Sequence, residues 1–195
     1  MKYECTEELF NKAVEAHQMI VIRDEGLSRH LRFKKPETTD MYFDLITWRG
    51  HLCYTGDMGT YVFTRVDDMF KFFRGDRINP GYWEEKCIAS QTRMRGNGIK
   101  AFDVDTFNDT VREYIKNYWE LDVVPEDLQA ELDREVLCHH ENEYEAYQAA
   151  HNFSFKEYNF YDCEGLCGWI YTYHFIWCLR ALVWGINQYD KSKED

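Results

Sequence analysis

An α+β fold, built on an antiparallel β-meander packed by helices and carrying an acidic helical second half, is what this 195-residue chain predicts. Three observations lead there. Runs of strand-forming residues, 31–34, 41–48, 51–55 and 61–64, follow one another, each punctuated by Pro, Gly or Asp. Beyond residue 105, apolar residues recur at spacings of three and four, the period of a helix face. Charge is also unevenly placed: residues 1–100 hold 15 acids against 16 Lys and Arg, whereas residues 101–150 hold 14 against 3, so that segment carries −11 of the formal −12. One compact domain over 1–195 is the default at this length, with a division into a sheet-containing part, 1–95, and a mainly helical part, 96–195, as the other arrangement.

In chain order, Thr6 is placed to cap a helix whose buried stripe is Phe10, Ala13, Val14, His17, Ile20 and Val21, ended by Asp24-Glu25-Gly26. His17 on that stripe reads as a packed histidine. The meander is readable to its faces. If Trp48-Arg49-Gly50-His51 closes a two-residue hairpin, Trp48 faces His51, Ile46 faces Cys53 and Asp44 faces Thr55. Met41, Phe43, Leu45, Leu52 and Tyr54 then cover the core, and Tyr42, Asp44, Ile46, Trp48, His51 and Cys53 form a mixed outer face. Gly56-Asp57-Met58-Gly59 reads as the next hairpin loop. Helices are expected over 66–73 and from Tyr82 to Ala89, and 93–98 reads as a glycine-containing surface loop or boundary. In the second half, Asp105 is expected to cap a helix with Phe107, Val111, Tyr114, Ile115 and Tyr118 on one face, and Pro125 to open one long helix or two collinear ones running to Tyr147. Strand character returns over 153–160 and 168–173. The closing segment, Phe175 to Tyr189, is apolar nearly all round, which puts it at the centre of the fold.

The run FDLITWRGHLCYTGDMGTYVFTR, with HLRF upstream, INPGYW downstream and the closing ALVWGINQYD, resembles a family of bacteriophage and prophage proteins to which no activity is assigned. The resemblance covers most of the chain. It implies a setting, the cytoplasm of a phage-infected bacterium, and no catalytic residue.

Composition narrows the function classes. Fourteen Tyr, thirteen Phe and six Trp exceed what a small core needs, and surplus Tyr and Trp suit an interface with a partner or, as a homo-oligomer, with a second copy. No 18-residue apolar run exists and MKYECTEELF lacks a signal-peptide segment, so no membrane association and a cytosolic location are expected. Seven cysteines without framework spacing fit reduced thiols. A direct nucleic-acid ligand calls for a basic patch, and the charge here has the opposite sign.

Four constellations hold chemically capable groups. Cys138, His139, His140 and Glu143, with Cys163 and Cys167, offer metal-ligating atoms without a zinc motif's spacing, and their plainer reading is buried thiols beside a helix-exposed histidine pair. His51 with Cys53 and Asp57 suggests a base and a nucleophile, but no motif frames them. Asp44, Asp57 and the pair Asp67-Asp68 offer a carboxylate site for general acid–base work or Mg²⁺, and their plainer reading is as turn and helix-start acids. The fourth is the acidic segment, with Glu126, Asp127, Glu131, Asp133, Glu135, Glu141 and Glu143 as candidate partner-binding residues. The expectation is a binder rather than an enzyme, without metal or cofactor, occupying the basic surface of a host nucleic-acid-binding defence protein by imitating phosphates. The alternative is a small enzyme with its site on the mixed sheet face around Asp44, Trp48, His51 and Asp57.

Overall fold

The computed structural model describes residues 4–91, 98–138, 140, 142–161 and 165–194. In chain order these form α1 (Glu7–Val14), β1 (Gln18–Glu25), β2 (Ser28–Lys34), β3 (Phe43–Trp48), β4 (His51–Gly56), β5 (Gly59–Thr64), α2 (Met69–Phe73), α3 (Pro80–Glu84) and β6 (Cys87–Ser90). There follow β7 (Lys100–Phe102), α4 (Val104–Tyr118), α5 (Glu126–Glu135), α6 (Glu143–Asn152), β8 (Ser154–Phe155), β9 (Tyr158–Asn159), β10 (Trp169–Tyr171) and α7 (Tyr173–Lys191). The chain divides into two compact units: a sheet unit of residues 1–99 and 171–195, and a helical unit of residues 100–170.

The sheet unit is an antiparallel meander in the order β1-β2-β3-β4-β5-β6. Its central hairpin turns where Gly50 adopts a φ of +77°, a conformation an L side chain strains to reach, and pairs Trp48 with His51, Ile46 with Cys53 and Asp44 with Thr55. That is the register the alternation predicts. It places Phe43, Leu45, Leu52 and Tyr54 in the core, together with Leu31, Phe33, Tyr61 and Phe63 from the flanking strands. Helix α7 covers this face, burying Leu179, Leu182 and Ile186 fully and setting Trp177 edge-on against Phe43 at 5.6 Å between centroids. Gly185 allows the approach, since a Cβ there would lie 2.9 Å from Leu45 Cδ1 and 3.2 Å from the Phe33 ring. His17 is packed as expected, half-buried, with Nε2 donating to the Met41 carbonyl at 2.9 Å and its ring against Phe43 and Trp184.

Several boundaries correct the sequence reading. The first helix ends at Val14, and Ile20 and Val21 belong to the edge strand β1. Three consecutive β-branched residues are poor helix formers and good strand formers, and the turn at Gly26 (φ +63°) folds them onto β2. The helix expected over 82–89 stops at Glu84; Cys87 to Ser90 instead extends the sheet, with Val62 opposite Ala89. Helix α2 is shorter than 66–73 because the Asp68 carboxylate accepts from Phe70 N and starts it at Met69. Residues 93–97 of the predicted loop lie outside the described residues.

The helical unit buries Phe107, Val111 and Ile115 of α4 against Leu128, Leu132 and Val136 of α5 and its end, and Ala146 and Ala150 of α6. Asp103, not Asp105, caps α4: its Oδ1 accepts from Thr106 N at 2.8 Å and from Thr106 Oγ1 at 2.6 Å. The apolar periodicity from 128 to 147 does not run as one helix. It breaks after Glu135, and Asn142 opens α6 by accepting from Glu145 N at 3.1 Å. Phe155 and Tyr158 pair in the hairpin of β8 and β9, which turns through Lys156 at φ +54°.

Candidate functional site

On the outer face of the sheet, Asp44 is 4% exposed yet ionic. Arg32 on β2 is its cross-strand neighbour and donates from Nε and Nη2 to its two oxygens at 2.8 Å each, and His30, two residues along β2, donates from Nε2 at 2.9 Å. Burial pushes the Asp44 carboxyl up; the bonds from Arg32 and His30 overcome this and hold it below the usual carboxylate range. Three donors from β2 converge on its two oxygens, so it is a structural anchor for the β2–β3 pairing.

The other three residues of the proposed sheet-face site do not share its bonds. Trp48 and His51 stack on each other, 5.0 Å between centroids and 8° between planes, and His51 Nδ1 donates to the Arg49 carbonyl at 3.1 Å. Asp57 lies beyond the opposite end of β4, about 20 Å along the strand at 3.3 Å per residue. Its carboxylate accepts from Met41 N at 2.6 Å and so fixes the turn. Asp67 pairs with Arg49 at 2.8 Å, while Asp68 caps α2 and pairs with Arg29 at 2.9 Å. Burial pushes the Cys53 thiol up, and Cys87 up to about 11, away from a reactive thiolate. These four acids and His51 are thus distributed over the sheet unit rather than converging on one point.

In the second unit the charge is concentrated. Residues 100–170 hold 17 acids against 5 Lys and Arg, a net −12, while the remaining residues hold 18 of each and cancel. Asp105, Asp109 and Glu113 recur every four residues on the exposed side of α4, opposite its buried Phe107, Val111 and Ile115, and form a ridge with acids about 6 Å apart. Only Asp109 has a cation on it, Arg112 at 2.9 Å, among the described residues. On α5, Glu126 is exposed and makes no ion pair among the described residues. Asp127 is paired with Lys156, which holds its carboxyl below the usual range. Arg134 sits between Glu131 and Glu135, and Asp133 accepts from the Gln129 amide at 2.7 Å. Glu143 is half-buried and accepts from the Trp169 indole at 2.6 Å, which turns it inward; Glu141 lies outside the described residues. The five α5 acids therefore keep a net −3 after Lys156 and Arg134 are counted, and the α4 ridge, which is not among the candidate partner-binding residues named from the sequence, adds the more open row. Its four-residue spacing was visible in the sequence.

At the metal-capable cluster, His140 Nε2 donates to the Val136 carbonyl at 2.9 Å and lies 3.7 Å from Cys138 Sγ. Among the described residues no three His, Cys, Asp or Glu groups stand close enough to share a metal ion. His139 and Cys163 lie outside the described residues. The residues that pair with Asp44, His30 and Arg32, were not singled out from the sequence; their signal was the two-residue spacing that puts both on one strand face opposite Asp44.

Exposed aromatics accompany the acids of the helical unit: Tyr118 and Tyr144 are each 73% exposed and Tyr161 is 92% exposed. Among the described residues no helix is long and apolar enough to cross a membrane. No family model, curated protein or solved structure matches the chain.

Proposed function

We propose that this protein acts by binding, with the acidic surface of its helical unit occupying a basic, nucleic-acid-binding surface on a partner protein. The observation that supports it most is the segregation of charge. The whole formal −12 lies in residues 100–170, and much of it stands on the exposed sides of α4 and α5. Unneutralised like charges oppose compaction, whereas an opposing basic surface would be attracted at long range and its counter-ions released. Exposed Tyr118, Tyr144 and Tyr161 supply the rigid, amphipathic contact area common at interfaces. The resemblance to phage proteins supports a host defence nuclease, in the host cytoplasm, as the class of partner.

The test is capture of partners from a nuclease-treated host lysate by the full chain and by two folded variants. One changes Glu126, Asp127, Glu131, Asp133 and Glu135 to Gln or Asn. The other changes Asp105, Asp109 and Glu113 likewise. Capture that is lost in both and weakens as salt rises from 0.1 to 1 M, where the Debye length falls from about 10 to about 3 Å, is the expected result. Unchanged capture by both variants would reject the reading and direct attention to the sheet face around Trp48 and His51.

A further inference from the structure

A cavity of about 550 Å³ opens between α1, the connection from α2 to α3, and α7, within the sheet unit. Its size is that of a small-molecule site. Two guanidinium groups line it, that of Arg180 and that of the exposed Arg77. Arg180 of α7 has a side chain only 22% exposed; its Nε donates to the Cys5 carbonyl at 3.0 Å, its guanidinium also bonds the Cys5 thiol, and the nearest carboxylate, Glu7, is at 3.8 Å. Arg77 makes no hydrogen bond or ion pair among the described residues. The Cys5 carbonyl and thiol engage two N–H groups, and a guanidinium offers five in a planar fork suited to a carboxylate or phosphate. The apolar part of the wall includes Phe10 and Trp184, and the acids Glu7 and Asp76 stand exposed at the cavity. The least exposed charge is therefore positive and sits beside aromatic surface.

We propose that this cavity binds a small organic anion with an apolar ring, its carboxylate or phosphate held by Arg180 and Arg77 and its ring against Trp184 and Phe10. The site belongs to the sheet unit, shares no residue with the acidic surface and does not depend on the function proposed for it. The test follows the Trp184 signal of the full chain labelled with 5-fluorotryptophan, assigned through Trp184→Phe, during titration with phenyl phosphate, inorganic phosphate and phenol. Phenyl phosphate is expected to shift that signal saturably, inorganic phosphate to need about tenfold more, and phenol to give no saturation. Arg180→Gln should abolish the response, and Arg77→Ala should raise the half-saturating concentration about tenfold. Glu7→Gln should lower it, because a competing carboxylate 3.8 Å from the guanidinium is removed. Absence of a saturable shift, equal responses to phenol and phenyl phosphate, or equal responses to inorganic and phenyl phosphate would overturn the proposal. If Arg180→Gln does not fold, an unchanged half-saturation in both Arg77→Ala and Glu7→Gln overturns it as well.

Discussion

In the sheet unit 18 acids face 18 Lys and Arg, and its least exposed carboxylates sit against arginines, Asp44 against Arg32 and Asp68 against Arg29. In the helical unit 17 acids face 5 bases, and the α4 ridge and Glu126 point to solvent with few cations near them. The cores of the two units are alike in kind, each a closed cluster of apolar side chains. The difference teaches that charge in the first unit is part of the fold, whereas in the second it is an excess the fold does not consume. Variants should therefore damage the two units differently.

The largest effect is expected at Leu182, fully buried under the sheet. Leu182→Asp should prevent folding of the sheet unit, since an unpaired buried charge costs several kcal/mol, and circular dichroism on heating would show no cooperative transition. A normal transition would contradict the central place given to α7. Next comes Gly185→Val, which inserts atoms where a Cβ alone already meets Leu45 and Phe33; a loss of about 1–3 kcal/mol in urea titration is expected.

Asp44→Asn should cost about 1–3 kcal/mol at neutral pH by weakening charge-assisted bonds to Arg32 and His30. Its pH dependence gives a sharper check. A carboxyl held below its unfolded value near 3.9 contributes stability that is complete above that value and is lost as pH falls through the folded one. Wild-type stability should thus drop below about pH 4 more steeply than that of Asp44→Asn, read as diverging unfolding midpoints that converge in acid. Smallest of all should be the effect of neutralising Glu126, Asp127, Glu131, Asp133 and Glu135 on stability, with the melting midpoint unchanged or raised as self-repulsion falls. A large destabilisation would mean that those acids belong to the fold.

How much of this was legible depends on how local the cause is. The β3–β4 hairpin was readable because period-2 alternation and a glycine turn agree on one register. Strand β1 was not, because Phe10, Val14, His17 and Val21 keep helical spacing, and the deciding interaction is pairing with β2. The Asp44 cluster needs the β2–β3 register, set across the connection 35–42 without a turn motif to announce it. For the acidic surface, the four-residue spacing of Asp105, Asp109 and Glu113 and the nearness of Arg134 to Glu131 are local and readable. The Lys156–Asp127 pair, 29 residues apart in sequence, and the inward turn of Glu143 onto Trp169 are tertiary. The cavity had a weaker signal, the one Asp, Glu, Lys or Arg, Arg180, within the apolar stretch Phe175 to Tyr189 of α7.

The central claim, that the acidic unit stands in for a phosphate backbone, is tested most directly by competition. With the captured partner immobilised, duplex DNA and this protein are offered together at fixed salt. The account predicts mutual displacement, with the amount of protein retained falling as DNA is added and the α4 and α5 neutralised variants failing to displace DNA. Simultaneous binding of protein and DNA, each at its affinity in the absence of the other, would contradict it.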